Sequence, residues 1–355
     1  MPASPTTDQV LQALTAVQDP DLNRDIVALG FIKDLAVNGN SVSFKVELTT
    51  PACPVKDKMK AEAEAAVLAL PGVDDVQVEM TAQVTSSAPS YEDRPAIPGV
   101  KNVIAVSSGK GGVGKSTVSV NLACALHRTG ARVGILDADL YGPNIPMMMG
   151  LSGQPMTNGK VILPFERDGI QAISIGLIVP EEQPVIWRGP MLHTAIKQFL
   201  FEVAWRDLDY LVVDLPPGTG DAQLSLAQQA HIMGAVIVTT PQSVSVHDVR
   251  KAIRMFGTVK VPVLGVVENM SFFSPPGSDE RYPIFGEGGA QRVAEEFSIP
   301  LLGQLPIHLS VREGGDNGEP VVLADPESEI AAAFMEVARQ VAAQISTRNA
   351  TEPVQ

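Results

Sequence analysis

The chain is poor in cysteine. Its 355 residues hold only Cys53 and Cys124, too few and too differently placed for a disulfide framework. It also lacks basic charge: 26 Lys and Arg against 40 Asp and Glu leave a net charge of −14, which argues against a general binder of nucleic acid or of anionic membrane. No stretch reaches the roughly 18 uninterrupted apolar residues that a membrane span needs. The opening Met1-Pro-Ala-Ser-Pro-Thr-Thr-Asp8 has neither the basic region nor the apolar run of a signal peptide, so a cytoplasmic protein is expected. His127, His193, His231, His247 and His308 show no ligand spacing and are expected on the surface or in the core. No internal repeat or low-complexity tract stands out.

What is present is a phosphate-binding loop. Val103–Val106 reads as an apolar strand, Gly109-Lys-Gly-Gly-Val-Gly-Lys-Ser116 matches G-x-x-x-x-G-K-[ST], and Ser116–Arg128 reads as an amphipathic helix. Strand, glycine-rich loop and helix in that order point to ATP or GTP. Gly109, Gly111, Gly112 and Gly114 let backbone N–H groups, with those of Val113 and Thr117, turn around the phosphates. Lys115 reaches the β/γ-phosphates and the Ser116 hydroxyl holds Mg²⁺. Lys110 exceeds what one nucleotide requires. It is either a solvated loop cation or a charge that neutralises the transferring phosphoryl group, in the manner of an arginine finger.

The remaining pattern divides the chain. Residues 1–80 read as a small α+β module: a helix over Asp8–Gln18, an alternating strand over Val42–Leu48, a helix over Val55–Leu70 ended by Pro71-Gly72, and a strand over Val76–Met80. Residues 81–99 turn to Ser, Pro, Ala and charge and read as a linker. From residue 100 to 348, short apolar strands alternate with helices: Val103–Val106, Arg132–Leu136, Tyr210–Val213, Ala235–Thr239, Val263–Val267 and Leu301–Gln304. This predicts an α/β fold, a mostly parallel sheet covered by helices on both faces. The last helix is expected over Glu329–Ser346, with residues 349–355 as a tail.

In such sheets the ligand lies at the carboxyl ends of the strands, where Asp137, Asp139, Asp214 and Asn269 fall. Asp214, before Leu-Pro-Pro-Gly-Thr-Gly-Asp221, reads as a Walker-B-like aspartate that holds Mg²⁺ directly or through water, with Pro216–Asp221 sensing the γ-phosphate. A plain turn aspartate is the alternative. Asp137 and Asp139 share a side of their strand end, where one orients the attacking water or contacts Mg²⁺ through water, unless they cap the following segment. Met147–Met149, Trp187 and Trp205 are expected to pack, although Arg188 could face a partner subunit. Cys124 is expected in the core.

These residues resemble the deviant P-loop ATPases that include MinD, ParA and the nitrogenase iron protein, marked by the Lys110 and Lys115 pair. Within that group the chain is similar to the Mrp/ApbC iron–sulfur cluster carriers. The similar stretches are Asp137-Ala-Asp-Leu-Tyr-Gly-Pro-Asn144, Trp187-Arg-Gly-Pro-Met191, Leu208–Asp221, Thr240-Pro-Gln242, Gly265-Val-Val-Glu-Asn-Met-Ser271 and Arg312–Pro320, and a comparable module often precedes this ATPase. The resemblance implies a homodimeric Mg-ATP-dependent carrier with slow hydrolysis that delivers clusters, of the 4Fe–4S type, to apo iron–sulfur proteins, without nucleic acid or membrane as partner. It implies that Lys110 contacts phosphate across a nucleotide-sandwich dimer, that Asp139 lies near the attacking water, and that Asn269 reads adenine.

The resemblance also exposes a departure. Family members commonly follow Glu-Asn-Met-Ser with a Cys-x-x-Cys pair, where this chain reads Ser271-Phe-Phe-Ser-Pro-Pro-Gly-Ser-Asp-Glu-Arg-Tyr282. Serine and proline replace poorly the thiolates that iron prefers. Cys53 in Thr49-Thr-Pro-Ala-Cys-Pro-Val55 remains. With Pro54 at the first helical position, Cys53 is expected at the N-cap, where the helix dipole favours a thiolate and a redox or iron-ligand role; a buried small residue is the alternative. Two other functions stay open: a MinD/ParA-like switch that positions a macromolecular cargo, and a nucleotide-responsive adaptor that binds clients without a cluster.

Overall fold

The computed structural model describes residues 4–86, 94–140, 142–159, 161–178, 189–275, 277–278 and 280–351, without the side chains of 189–193, 221 and 222. Trp187, Arg188 and Tyr141 lie outside the described residues. By contact the chain divides into two compact units, residues 1–85 with 346–355, and residues 86–345.

The first unit holds α1 (Thr7–Leu14), β1 (Ile32–Asn38), β2 (Ser41–Leu48), α2 (Lys56–Leu68) and β3 (Asp75–Ala82). Its centre is β2, whose alternation buries Val42, Phe44, Val46 and Leu48 on one side. β1 pairs with it antiparallel and β3 parallel. Met59, Ala63 and Val67 recur every four residues on α2 and join Val10 and Leu14 of α1 in the same core. The start of α1 is a capping box: the Gln9 N–H donates to Thr6 Oγ1 at 3.2 Å and the Thr6 N–H to Gln9 Oε1 at 2.8 Å.

Three expectations change here. α1 stops at Leu14, short of Gln18, because Gln18 and Asp19 pair antiparallel with Asp25 and Arg24. β1 was not legible, since an irregularity between Lys33 and Ala36, with Asp34 at φ 52°, breaks its alternation. Cys53 is not the N-cap of α2. That position belongs to Val55, whose carbonyl accepts the first helical N–H, from Met59 at 2.7 Å. Cys53 sits in the turn before it, with its carbonyl taking the Lys56 N–H at 3.4 Å.

The second unit continues the series. Its strands are β4 (Val100–Ser108), β5 (Val133–Asp137), β6 (Phe165–Arg167), β7 (Ile170–Ser174), β8 (Leu208–Asp214), β9 (Gly234–Thr239), β10 (Val263–Glu268) and β11 (Leu301–Gln304). They form one sheet in the order β6-β7-β5-β8-β4-β9-β10-β11. β6 runs antiparallel to β7; every other neighbour is parallel. β5, β8 and β9 are buried at every position, as a sheet covered on both faces requires. The helices of this unit include α3 (Lys115–Arg128), α4 (Ile145–Met148), α5 (Gly189–Phe201), α6 (Asp221–Gln229), α7 (Ser243–Thr258), α8 (Gly289–Phe297), α9 (Leu309–Asn317) and α10 (Val321–Ala324); α3 packs on β5 and β8, α7 on β9 and α8 on β10. Register then places the chemistry: Asp214 of β8 is level with Val106 of β4 and Asp137 of β5.

The last helix, α11, runs Glu329–Thr351, beyond the expected Ser346. Its final turns are held by a 2.5 Å contact between the Thr49 and Ser346 hydroxyls and by Asn349 Nδ2 donating to Thr85 O at 2.8 Å. No described helix is long and apolar enough to cross a membrane.

Candidate functional site: a nucleotide loop above a buried acidic cluster

The loop between β4 and α3 depends on glycine at defined points. Gly112 and Gly114 have φ of 79° and 80°, the left-handed region that side chains disfavour. A side chain at Gly114 would strike Asn269, and one at Gly109 would strike the backbone of Asp248 and Val249 in α7. Gly109 therefore serves close packing as much as loop turning.

Lys115 opens α3 and turns inward. It is 6% exposed, and its Nζ lies 2.8 Å from Asp214 Oδ2 and 3.7 Å from Asp139 Oδ2. Asp214, with no exposure, also accepts from the hydroxyls of Ser116 and Ser119, each at 2.6 Å. Asp137 is equally buried and accepts from Ser174 Oγ at 2.9 Å, from the Asp139 N–H at 3.1 Å and from the Ile145 N–H at 3.2 Å. Ile145 begins the short helix α4 (Ile145–Met148), so Asp137 has the capping geometry while Asp139 faces Lys115.

The charges do not balance. Asp137, Asp139 and Asp214 meet Lys115 in a water-poor place, and burial first, then the Asp214 charge, pushes Asp137 up to about 7. A divalent cation on the Ser116 hydroxyl and the Asp214 carboxylate fits that excess. No described group of three or more His, Cys, Asp and Glu could hold a metal ion by itself. That is compatible with Mg²⁺, which takes one or two protein ligands and fills its shell with phosphate oxygens and water.

Lys110 is half-buried, and its carbonyl accepts from Ser108 Oγ at 2.9 Å. Among the described residues no ion pair involves Lys110, in contrast to Lys115. On the other side of the loop, Asn269 follows β10, and its Nδ2 donates to Val113 O at 2.8 Å. This leaves Asn269 Oδ1, an acceptor, to offer a base. A cavity of about 420 Å³ opens there, between Gly114 and Thr117 on one side and Asn269, Met270, Pro306 and Ile307 on the other. The structure thus brings together Lys115, Ser116, Asp137, Asp139 and Asp214, with Asn269 adjoining through the loop.

Sequence reasoning missed two members. Ser119 lies one turn after Ser116 on the same helix face, a spacing that was readable. Glu268 was signalled only by being the one charged residue of an apolar strand. Beyond Asn269, Phe273 exchanges backbone hydrogen bonds with Tyr282 at 2.9 and 2.8 Å, and the Arg281 guanidinium lies 4.4 Å from the centre of the Phe272 ring. Backbone pairing and a cation–π contact are made by the segment that lacks the Cys-x-x-Cys pair.

The two cysteines differ. Cys124 has no exposure on α3, and burial pushes its thiol up to about 12, as a core residue requires. Cys53 is 9% exposed in the core of the first unit. It lies in a different unit from Lys115.

Residues 99–342 match the family described as NUBPL iron-transfer P-loop NTPase, and residues 7–80 match the iron–sulfur cluster assembly protein family. The iron–sulfur cluster carrier protein of Synechocystis is 52% identical over 347 residues, covering 96% of this chain and 98% of that protein. The protein of the same name from Deinococcus radiodurans is 50% identical, with 97% of each covered. Among solved structures, a nucleotide-binding protein in complex with ADP from Archaeoglobus fulgidus is 40% identical with a TM-score of 0.59, covering 67% of this chain and 93% of that one.

Proposed function

This chain belongs to the NUBPL iron-transfer P-loop NTPase family, and on that premise we propose that it is a cytoplasmic, homodimeric, ATP-dependent carrier that binds iron–sulfur clusters and passes them to apo iron–sulfur proteins. The observation that carries the reading is likeness to proteins named iron–sulfur cluster carrier along 96% of the chain, both units included. The site geometry supplies the nucleotide half of the reading.

ATP takes its phosphates into the Gly109–Thr117 loop. Lys115 holds the β/γ-phosphates, and ligand oxygens replace its contact with Asp214. Ser116 and Asp214 would hold Mg²⁺, which there offsets phosphate charge. In this reading Asp139, 3.7 Å from Lys115, orients the attacking water, and Lys110, without an ion pair among the described residues, contacts the phosphates of a second copy. Hydrolysis is slow and switches the dimer between conformations. Asn269 reads adenine.

The cargo needs thiolates. Cys53 is the ligand this chain offers, one per subunit, and glutathione or client thiols complete the set for a 4Fe–4S cluster. A cluster held so sparsely is labile, which suits a protein that must release it. Anaerobic reconstitution followed by transfer to an apo-ferredoxin tests the reading: iron and sulfide bind and pass on, faster with ATP than without. Wild-type protein that binds no iron under those conditions refutes the carrier and leaves a nucleotide-responsive adaptor.

A further inference from the structure

Glu268, the last residue of β10, is a carboxylate buried to 1% exposure whose hydrogen-bond donors among the described residues are all neutral. Ser271 Oγ donates to Oε1 at 2.6 Å and Gln304 Nε2 to the same oxygen at 2.8 Å, while the Ala290 N–H, in the first turn of α8, donates to Oε2 at 2.8 Å. Burying an anion among neutral groups is costly. A plain turn does not call for it. Nor is a neutral amide equivalent, because either orientation of a glutamine would set its NH₂ against donors on one side or the other.

These donors have a common location. Ser271 closes the turn that carries Asn269 and Met270, and Met270 is held at φ 55°, in the left-handed region. Gln304 precedes Leu305, whose N–H donates to Glu268 O at 2.8 Å and whose carbonyl takes the Ser271 N–H at 2.9 Å. The chain then runs into Pro306 and Ile307, which wall the 420 Å³ cavity together with Asn269 and Met270. One carboxylate thus ties both strand ends that form the base side of the nucleotide site.

We propose that Glu268 is a positioning residue for base selection: by holding Ser271 and Gln304 it fixes the Asn269–Met270 turn against Gly114, so that Asn269 presents an acceptor to the base. An acceptor there suits the exocyclic amino group of adenine and repels the carbonyl of guanine. The proposal rests on the nucleotide reading above and adds to it the residue that enforces adenine over guanine.

Calorimetric titration of the full chain with ATP, GTP and inorganic tripolyphosphate tests it. Wild type prefers ATP. Glu268→Gln lowers the ATP-to-GTP affinity ratio about tenfold, the size expected when a buried polar group loses its partner, and leaves tripolyphosphate affinity within about twofold. Ser271→Ala, which keeps the carboxylate, lowers the ratio less. In the Asn269→Ala background, Glu268→Gln adds no further loss, because it acts through Asn269. An unchanged ratio in both Glu268→Gln and Ser271→Ala, or additive losses in the double variant, overturns the positioning role while leaving the nucleotide reading intact. If Glu268→Gln fails to fold, Ser271→Ala decides alone. A wild type with no preference for ATP overturns adenine reading by Asn269 and the role of Glu268 together.

Discussion

Lys115 and Cys53 are both nearly buried polar or reactive side chains, at 6% and 9% exposure, yet their surroundings have nothing in common. Lys115 stands among Asp214 at the end of β8, Asp139 just beyond β5 and Ser116 in the first turn of α3, all at the carboxyl ends of the parallel strands of one sheet. Cys53 lies in the apolar core of its unit, in a turn between two prolines. Preorganisation separates them: Lys115 already meets Ser116, Asp139 and Asp214 within one chain, whereas a cluster on Cys53, as proposed, would have to draw its other ligands from elsewhere, since no described group of three or more His, Cys, Asp and Glu could hold a metal. The nucleotide half should therefore fail when one residue changes, and the cargo half when outside thiols are withheld.

Lys115→Ala attacks the preorganised half and carries the largest effect. It removes the buried ammonium facing Asp214 and Asp139, so repulsion between carboxylates and phosphates adds to the lost contact. ATP affinity falls by on the order of a thousandfold. Fluorescent-nucleotide titration measures it, and binding within tenfold of wild type would contradict the geometry.

Lys110→Ala separates binding from turnover. Affinity stays within about tenfold while phosphate release drops by on the order of a thousandfold, as for loss of an arginine finger. Hydrolysis at the wild-type rate would return Lys110 to the status of a solvated loop cation.

Cys53→Ser tests the other half. Iron bound after anaerobic reconstitution falls by more than about half, and ATP hydrolysis stays within about twofold of wild type. Equal loading and transfer by the variant would end the ligand assignment. Withholding glutathione from wild type is expected to mimic the substitution.

The smallest effect lies away from both sites. Burial works to raise the Asp209 carboxyl, but Lys101 Nζ at 2.8 Å and the Arg132 N–H at 2.9 Å more than offset it and hold it below the usual aspartate range. A depressed folded value stabilises above the unfolded value and ceases to as pH falls through the folded one. Asp209→Asn should thus melt a few degrees lower at pH 7, with the gap closing below about pH 4. A gap independent of pH would mean that the charge contributes nothing.

Much was legible wherever local rules coincide with the fold. The six strands read from apolar runs in the second unit all exist; β5, β8 and β9 are buried at every position and so read as near-continuous apolar runs, while the edge strand β11 buries only Leu302. The left-handed turns at Gly112 and Gly114 and the start of α3 at Lys115 agree with the G-x-x-x-x-G-K-[ST] spacing, which constrains neighbouring residues along the chain. β1 was not, since its bulge destroys the period that reveals a strand. The N-cap of α2 was misplaced by two residues because a proline marks the neighbourhood of a helix start without deciding which carbonyl takes the first bond.

By itself the sequence determined a small α+β segment, a mostly parallel α/β sheet and the glycine-rich loop, since periodicity and spacing are properties of neighbouring residues. Only the tertiary structure decided that Asp139 and Asp214 share Lys115 with Asp137 buried beside them, that Ser119 joins Ser116 on Asp214, and that Glu268 reaches Gln304 and Ala290. Those partners lie up to about a hundred residues apart. Strand order and register bring them together, and both follow from how the whole sheet packs, which no local window contains.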